Sequence, residues 1–431
     1  MANLLSLFFG NEKQTAELHR QVGRLESYGG RLVPIMGLLF RNCAENLIVL
    51  EQNPDPDLLD YFRTQLGLRL PAHHVLSHRD YLRFASNSPI HDPALLELVE
   101  KVRALPGNHL DGFVTDRALE RMAELTGRHT ISSHTSSRQG NNKVDLHRHL
   151  KSNGMPVFDT ALVYSPAEMV DALDELRGRG YRRAAVKAQI GASGIGIMQV
   201  STDRAPPRLP DYLFYEGPCL VQGWLDDQVD NISEVKSPSA QLFIHHESVS
   251  VYDLTDQILS DESVHQGNAS PPQWLQDDTG TRRELLHQAT IGARWLHATG
   301  YRGTASVDFH VVKRHGRREV RICEINARVT GATYPSLLAR HLAPEGAWLM
   351  RNLQFSHPVP APMLLDALGR HGRLFSPGDK ANVLPINFNA QPGSAVVKGQ
   401  FLCLGESLEE THDLLEEARH LLPVEHSYDR D

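Results

Sequence analysis

Cysteine is scarce in this chain, and its placement excludes several architectures. The four cysteines, Cys43, Cys219, Cys323 and Cys403, lie far apart and form no CxxC pair. That argues against a disulfide framework or a zinc ribbon, and it fits a reducing cytoplasm. A surplus of positive charge is also missing. The formal net charge is -8, so a nucleic-acid partner has no electrostatic support. Long apolar runs are absent too. Nothing approaches the ~20 residues that span a bilayer, so no membrane partner is expected. Residues 1–10 are apolar but have no basic flank and stop at Gly10-Asn11-Glu12. They read as a first strand rather than a signal peptide.

With 431 residues, 41% of them hydrophobic and 22% charged, the chain has the composition of a soluble protein with two to three cored domains. Residues 1–131 alternate strand-like stretches (4–9, 31–40, 46–50) with helix-like ones (15–25, 54–66), the pattern of an α/β domain. The polar stretch 132–142 reads as a loop or boundary. A second unit, 132–225, has a helix over 143–152. It has another behind the capping box Ser165-Pro166-Ala167-Glu168, then two strands joined by glycines. A third, 226–355, mixes strands with a helix around 283–298. A tail, 356–431, has strands near 382–387 and 395–404. Its last helix is capped by Ser407, with Glu410 three residues on.

The most informative pair is Asp308 and Glu324. Two β-rich runs, 307–313 and 319–328, flank a turn centred on Gly316, which reads as a hairpin. Gly316 is the midpoint between the two acids, so the hairpin sets the carboxylates opposite one another. Opposed like charges destabilise a ladder unless a cation sits between them, and hard oxygen ligands favour magnesium shared with a phosphate. Alternation puts Val307, Phe309, Val311, Cys323, Ile325 and Ala327 on an apolar face. Asp308, His310, Glu324, Asn326 and Arg328 take the other face. A plain solvated face would also alternate this way, but these acids have no matching lysine opposite.

The second signal is the stretch 184–200, in which Lys187 precedes Gly191, Ser193, Gly194 and Gly196. A Rossmann fingerprint needs a helix after the glycines, and β-type residues follow instead. A Walker A loop needs Lys-Ser/Thr after the last glycine, and that is missing. The remaining readings are a plain glycine turn or a hairpin flap. In a flap, backbone N–H groups and the incoming lysine hold phosphate. His245-His246-Glu247 and His147-Arg148-His149 have metal-like spacing, but among 23 histidines such pairs arise by chance.

These motifs together resemble the ATP-grasp superfamily over about residues 140–345. Lys187 and its loop match the phosphate-covering flap. Gln222, Gly223, Trp224 and Leu225 match the adenine-holding hinge, and Lys143 the first nucleotide-binding lysine. Asp308, Glu324 and Asn326 match the magnesium ligands. Arg328 matches the basic residue on the transferred phosphoryl. Gln222 departs from the Glu of many members, and Asp308 from the commoner Glu. The N-terminal third resembles a pre-ATP-grasp domain, and the whole layout the pheganomycin-type peptide ligases. The resemblance implies an α/β protein with α+β lobes and a short C-terminal α+β domain.

It further implies ATP and Mg2+ as cofactors. The substrates would be an amino-acid-like carboxylate and an amine (amino acid or peptide), joined through an acylphosphate in natural-product biosynthesis. Arg328, Lys187 and His265 are the catalytic candidates, His265 because its loop between the lobes could face substrate. A phosphotransferase or carboxylase on the same core, and a nucleotide-binding regulator without turnover, are the alternatives. A homodimer is the base-rate expectation.

Overall fold

The computed structural model describes residues 29–39, 45–85, 90–192, 195–226, 229, 231–259, 265–390 and 395–425. The strand expected at 4–9 and the helix expected at 15–25 lie outside them. Residues 31–40 were expected to form a strand, but Leu32–Leu39 is an α-helix. A short run apolar on every side fits a buried helix as well as a strand, and Val33 and Ile35 enter the main core here. Helix Pro56–Asp60 starts behind Asp55, whose Oδ1 accepts from the Asp57 and Leu58 amides. Short parallel pairs join β1 (Leu47–Leu50) to β2 (Ala72–Val75), and β3 (His109–Leu110) to β4 (His129–Thr130).

Residues 132–142 are not a loop. Ser133 accepts from the Ser136 amide and starts the helix His134–Gly140. The helix is polar, yet its Ser136, Ser137 and Gly140 face is buried, because small residues let it press on its neighbours. A Cβ at Gly140 would stand 2.6 Å from Ala327 Cβ, so only glycine permits this approach. The helix Lys143–Ser152 follows, capped by Asn142.

An antiparallel four-stranded sheet forms the small lobe. Its order is β5 (Thr160–Val163), β8 (Cys219–Gly223), β6 (Arg183–Ala192) and β7 (Ile195–Ser201). The larger sheet has nine strands. β14 (Arg317–Asn326) stands at one end, followed by β13 (Gly303–Arg314), β10 (Pro238–Ile244), β11 (Val249–Leu259) and β12 (His265–Ser270). β15 (Ala347–Pro360), β17 (Ala395–Gly405) and β16 (Asn382–Ala390) continue the same sheet, and β9 (Ile232–Lys236) pairs with β13. β15 runs across residue 356, so the division expected there falls inside a strand. The helix Thr279–Ala298, capped by Asp278, packs Leu285, Ala289, Ala293 and Leu296 onto Val307, Phe309 and Ile325. The last helix, Leu408–Leu421, is capped by Ser407 as expected.

The acidic hairpin forms with the two acids opposed, but its turn is two residues rather than one centred on Gly316. Its turn is His315-Gly316, both at positive φ (49° and 77°), the backbone that follows strand twist and that glycine adopts without strain. Asp308 pairs with Glu324 across the ladder. A bulge then intervenes, and Phe309 pairs with Ile322. Cys323 is therefore an extra residue, turned out of the apolar face to which simple alternation assigned it. Val320 and Ile322 join Val307, Phe309 and Val311 in the core instead.

Candidate active site

The hairpin, the flap strand, the hinge strand and the Lys143 helix converge on one cavity. Lys143 and His147 reach it from the helix, Lys187 from β6, Gln222 from β8, and Cys323 from the bulge. Phe158, on the segment before β5, forms part of the wall. Lys187 Nζ lies over the Phe158 ring at 5.8 Å and 3.7 Å from Cys323 Sγ.

The acids sit in a hydrogen-bonded frame. Ser239 Oγ donates to Asp308 Oδ1 at 2.6 Å, and Ser306 Oγ does so at 3.3 Å. Asn326 Nδ2 donates to Asp308 Oδ2 at 2.8 Å and to Ser306 Oγ at 3.2 Å. Asn326 Oδ1 is buried with no partner. Glu324 instead pairs with Lys143, Nζ to Oε2 2.9 Å. Burial, and then the Glu324 charge, raise the Asp308 carboxyl to about 6. Burial also pushes Glu324 upward, but Lys143, Arg328 and Lys187 outweigh it and hold that carboxyl well below its usual range. Two carboxylates and an orphaned amide oxygen on one patch are a hard-oxygen donor set, which fits magnesium. Among the described residues no trio of His, Cys, Asp or Glu could hold a metal, so the paired histidines form no zinc site there. His149 stacks on Trp295 instead.

Arg328 is buried, and its Nη1 donates to Asn141 Oδ1 at 2.6 Å. Asn141 Oδ1 also accepts from the Ala327 amide. Its neighbour Asn142 caps the Lys143 helix through Oδ1 and donates from Nδ2 to Gln189 on the flap strand at 2.9 Å. Asn141 and Asn142 thus tie hairpin, helix and flap together. Sequence reasoning passed over both as boundary residues. The available signal was an Asn at N-cap spacing before Lys143.

At the hinge, Gln222 is buried. Its Nε2 donates to Thr160 Oγ1 at 3.1 Å, while Oε1 has no partner. The Trp224 amide donates to the Arg183 carbonyl, and a Cβ at Gly223 would strike the Tyr181 ring. The Leu225 carbonyl accepts from His310 Nε2 at 3.0 Å, so a histidine of β13 holds the segment after β8. Gly196 takes φ 82° in the flap. Ser193 and Gly194 lie outside the described residues. His265 does not join this cluster. It opens β12 rather than sitting in a loop, three strands from β13, roughly 14 Å away at ordinary strand spacing. Burial lowers it to about 4, and the neutral ring accepts the Asn268 amide at Nε2, 2.7 Å away. That nitrogen is already engaged and is not poised to take a proton.

The two lobes, the flap and the acidic hairpin give an ATP-grasp fold, and residues 37–128 match the family model described as a pre-ATP-grasp domain. One curated relative is the [butirosin acyl-carrier protein]–L-glutamate ligase of Niallia circulans, 27% identical over 304 residues. The match covers 69% of this chain and 64% of the relative's length. Similar solved structures include N5-carboxyaminoimidazole ribonucleotide synthetase from Thermus thermophilus, with 14% identity and TM-score 0.55, covering 93% of this chain and 98% of that one. Biotin carboxylase from Campylobacter jejuni, solved as a β-γ-ATP complex, aligns at 14% identity and TM-score 0.56 over 88% and 91% of the two chains. At these identities the structural likeness concerns the fold.

Proposed function

We propose that this chain is a cytoplasmic ATP-dependent carboxylate–amine ligase of specialised peptide biosynthesis, acting through an acylphosphate and releasing ADP and phosphate. The observation that carries this reading is the half-buried Asp308–Glu324 pair with the unpartnered Asn326 Oδ1 beside it. The named substrates of the Niallia relative pair L-glutamate with a carrier protein, which supports an amino-acid-like substrate for this chain. Among the described residues no helix is long and apolar enough to cross a membrane.

In this reading a carboxylate oxygen of the acid attacks the γ-phosphorus and ADP leaves. The amine then attacks the acyl carbon, phosphate leaves, and the amine proton passes to solvent. Magnesium, held by Asp308, Glu324 and the Asn326 carbonyl, would supply positive charge against the phosphate oxygens. Lys187 and Lys143 add charge from the other walls of the cavity. The orphaned Gln222 Oε1 accepts from the adenine amino group. The flap to which Lys187 and Gly196 belong would keep water from the acylphosphate. Arg328, fixed by Asn141, stabilises the oxyanion formed when the amine attacks. The test is product analysis across panels of acids and amines. ADP and phosphate should appear only when both substrates are supplied. AMP with pyrophosphate would refute the mechanism, and ATP binding without turnover on any pair would favour a regulator.

Two further outcomes follow from the same residues. Gln222→Ala should weaken ATP binding by roughly tenfold, about one hydrogen bond, whereas Gln222→Glu, which keeps an acceptor, should bind near the wild-type level. Calorimetric titration with ATP distinguishes them. The raised Asp308 carboxyl sets a pH dependence. Below about pH 6 the group is protonated, and a divalent cation must displace that proton. Magnesium-supported ATP affinity should therefore rise with pH up to about 6 and level off above it. A flat titration between pH 5 and 6 would remove Asp308 from the metal site.

A further inference from the structure

One of the site's own cations stands against the acidic wall. Lys143 Nζ lies 2.9 Å from Glu324 Oε2, and the lysine side chain is only 6% exposed. Asp308 is hydrogen-bonded by Ser239, Ser306 and Asn326, all neutral donors. The other two cations of the site point elsewhere, Arg328 to Asn141 and Lys187 to Cys323. Of the three, Lys143 alone makes an ion pair with either carboxylate among the described residues. Two adjoining half-buried carboxylates without a counter-charge would be costly, and Lys143 relieves that cost at Glu324.

The placement of Lys143 favours exchange over a fixed bridge. Its backbone is locked as the first residue of its helix, with Asn142 holding the helix start and bonding Gln189 of the flap strand. Only the four-carbon stem has to turn for the ammonium to move, and an ammonium carries its charge without the directional demands of a guanidinium. The same side chain lines the cavity that Gln222 and Lys187 face.

We propose that Lys143 is an exchangeable counter-ion: in the nucleotide-free protein its ammonium occupies Glu324 in place of the metal, and on loading it transfers to nucleotide phosphate. This rests on the nucleotide-site reading above. Its consequence is an order of loading. A divalent ion arriving alone competes with a built-in cation for Glu324. Phosphate draws the lysine away and frees that carboxylate.

The experiment measures Mn2+ alone, by electron paramagnetic resonance, and metal-free ADP, by calorimetry, on the full-length protein. Lys143→Gln should bind Mn2+ tighter than wild type, by roughly tenfold or more from the removed repulsion, and bind ADP weaker by a similar factor. Lys143→Arg, which keeps the charge, should retain weak Mn2+ binding. Lys143→Met, which keeps the apolar stem, is the second variant should Lys143→Gln not fold. Unchanged or weaker Mn2+ binding in a folded neutral variant overturns the proposal. So does tighter Mn2+ binding with unaltered ADP affinity, since the lysine would then never reach phosphate. Should wild type bind no nucleotide at all, the site reading fails, while the Mn2+ comparison still reports on the Lys143–Glu324 exchange.

Discussion

Glu324→Gln is expected to reduce ATP-dependent turnover by roughly a thousandfold, the scale on which loss of a preorganised electrostatic group is felt. It should also destabilise the protein, and the two effects have separate causes. Turnover falls because the proposed magnesium wall loses a carboxylate. Stability falls because Lys143 is left buried opposite a neutral amide. Removing one partner of a buried pair costs about 3–5 kcal/mol, and the 24% exposure of the Glu324 side chain points to the lower end. Asp308→Asn should match the loss of turnover without the loss of stability. Burial and the neighbouring charge already disfavour ionised Asp308, so a neutral isostere relieves strain. Asn326, whose Oδ1 has no partner, can turn its amide to meet the new donor. A coupled ADP-release assay and a thermal melt on both variants check this contrast. Equal destabilisation by the two would contradict the division of charge described for the pair.

Arg328→Ala is expected to lower turnover by a comparable factor, roughly a hundred- to a thousandfold for one oxyanion-stabilising donor. Arg328 is buried and fixed through Asn141, so its guanidinium is held in place before substrate arrives. Arg328→Lys keeps the charge but not the fork that Asn141 orients, so only partial recovery is expected. The step affected identifies the role. If Arg328 serves the tetrahedral oxyanion, single-turnover ADP formation survives while amide formation is lost. If it serves only the phosphoryl group, both fall together. Full turnover by Arg328→Ala would end its assignment to catalysis.

How much of this was legible depended on whether the cause was local. The opposition of Asp308 and Glu324 was read from Gly316 lying midway between them. The turn, however, is His315-Gly316, whose register alone would pair Asp308 with Cys323, and the bulge at Cys323 restores the opposition. The resemblance to the ATP-grasp superfamily and the α/β fold class are likewise borne out. The bulge at Cys323 was not legible, because one extra residue in a strand of alternating character leaves the pattern intact on either side. That slip turned a residue expected in the core toward the cavity. The helix Leu32–Leu39 was missed because a run apolar on all sides has no period to read. The helix His134–Gly140 was missed for the opposite reason. Its sequence is polar, and what holds it is distant packing on Ala327 and Leu296. The Lys143–Glu324 ion pair and the Asn141–Arg328 bond span more than 180 residues of chain, a separation no local pattern encodes.

The central claim is that phosphate is transferred to a substrate carboxylate at the wall formed by Asp308, Glu324 and Asn326. The most direct measurement uses an acid substrate labelled with oxygen-18 in its carboxylate, turned over with ATP and the amine, and the released phosphate analysed by mass spectrometry. Transfer through an acylphosphate places one labelled oxygen in each phosphate formed with product. Unlabelled phosphate, with the label retained in the product or appearing in AMP, would contradict it.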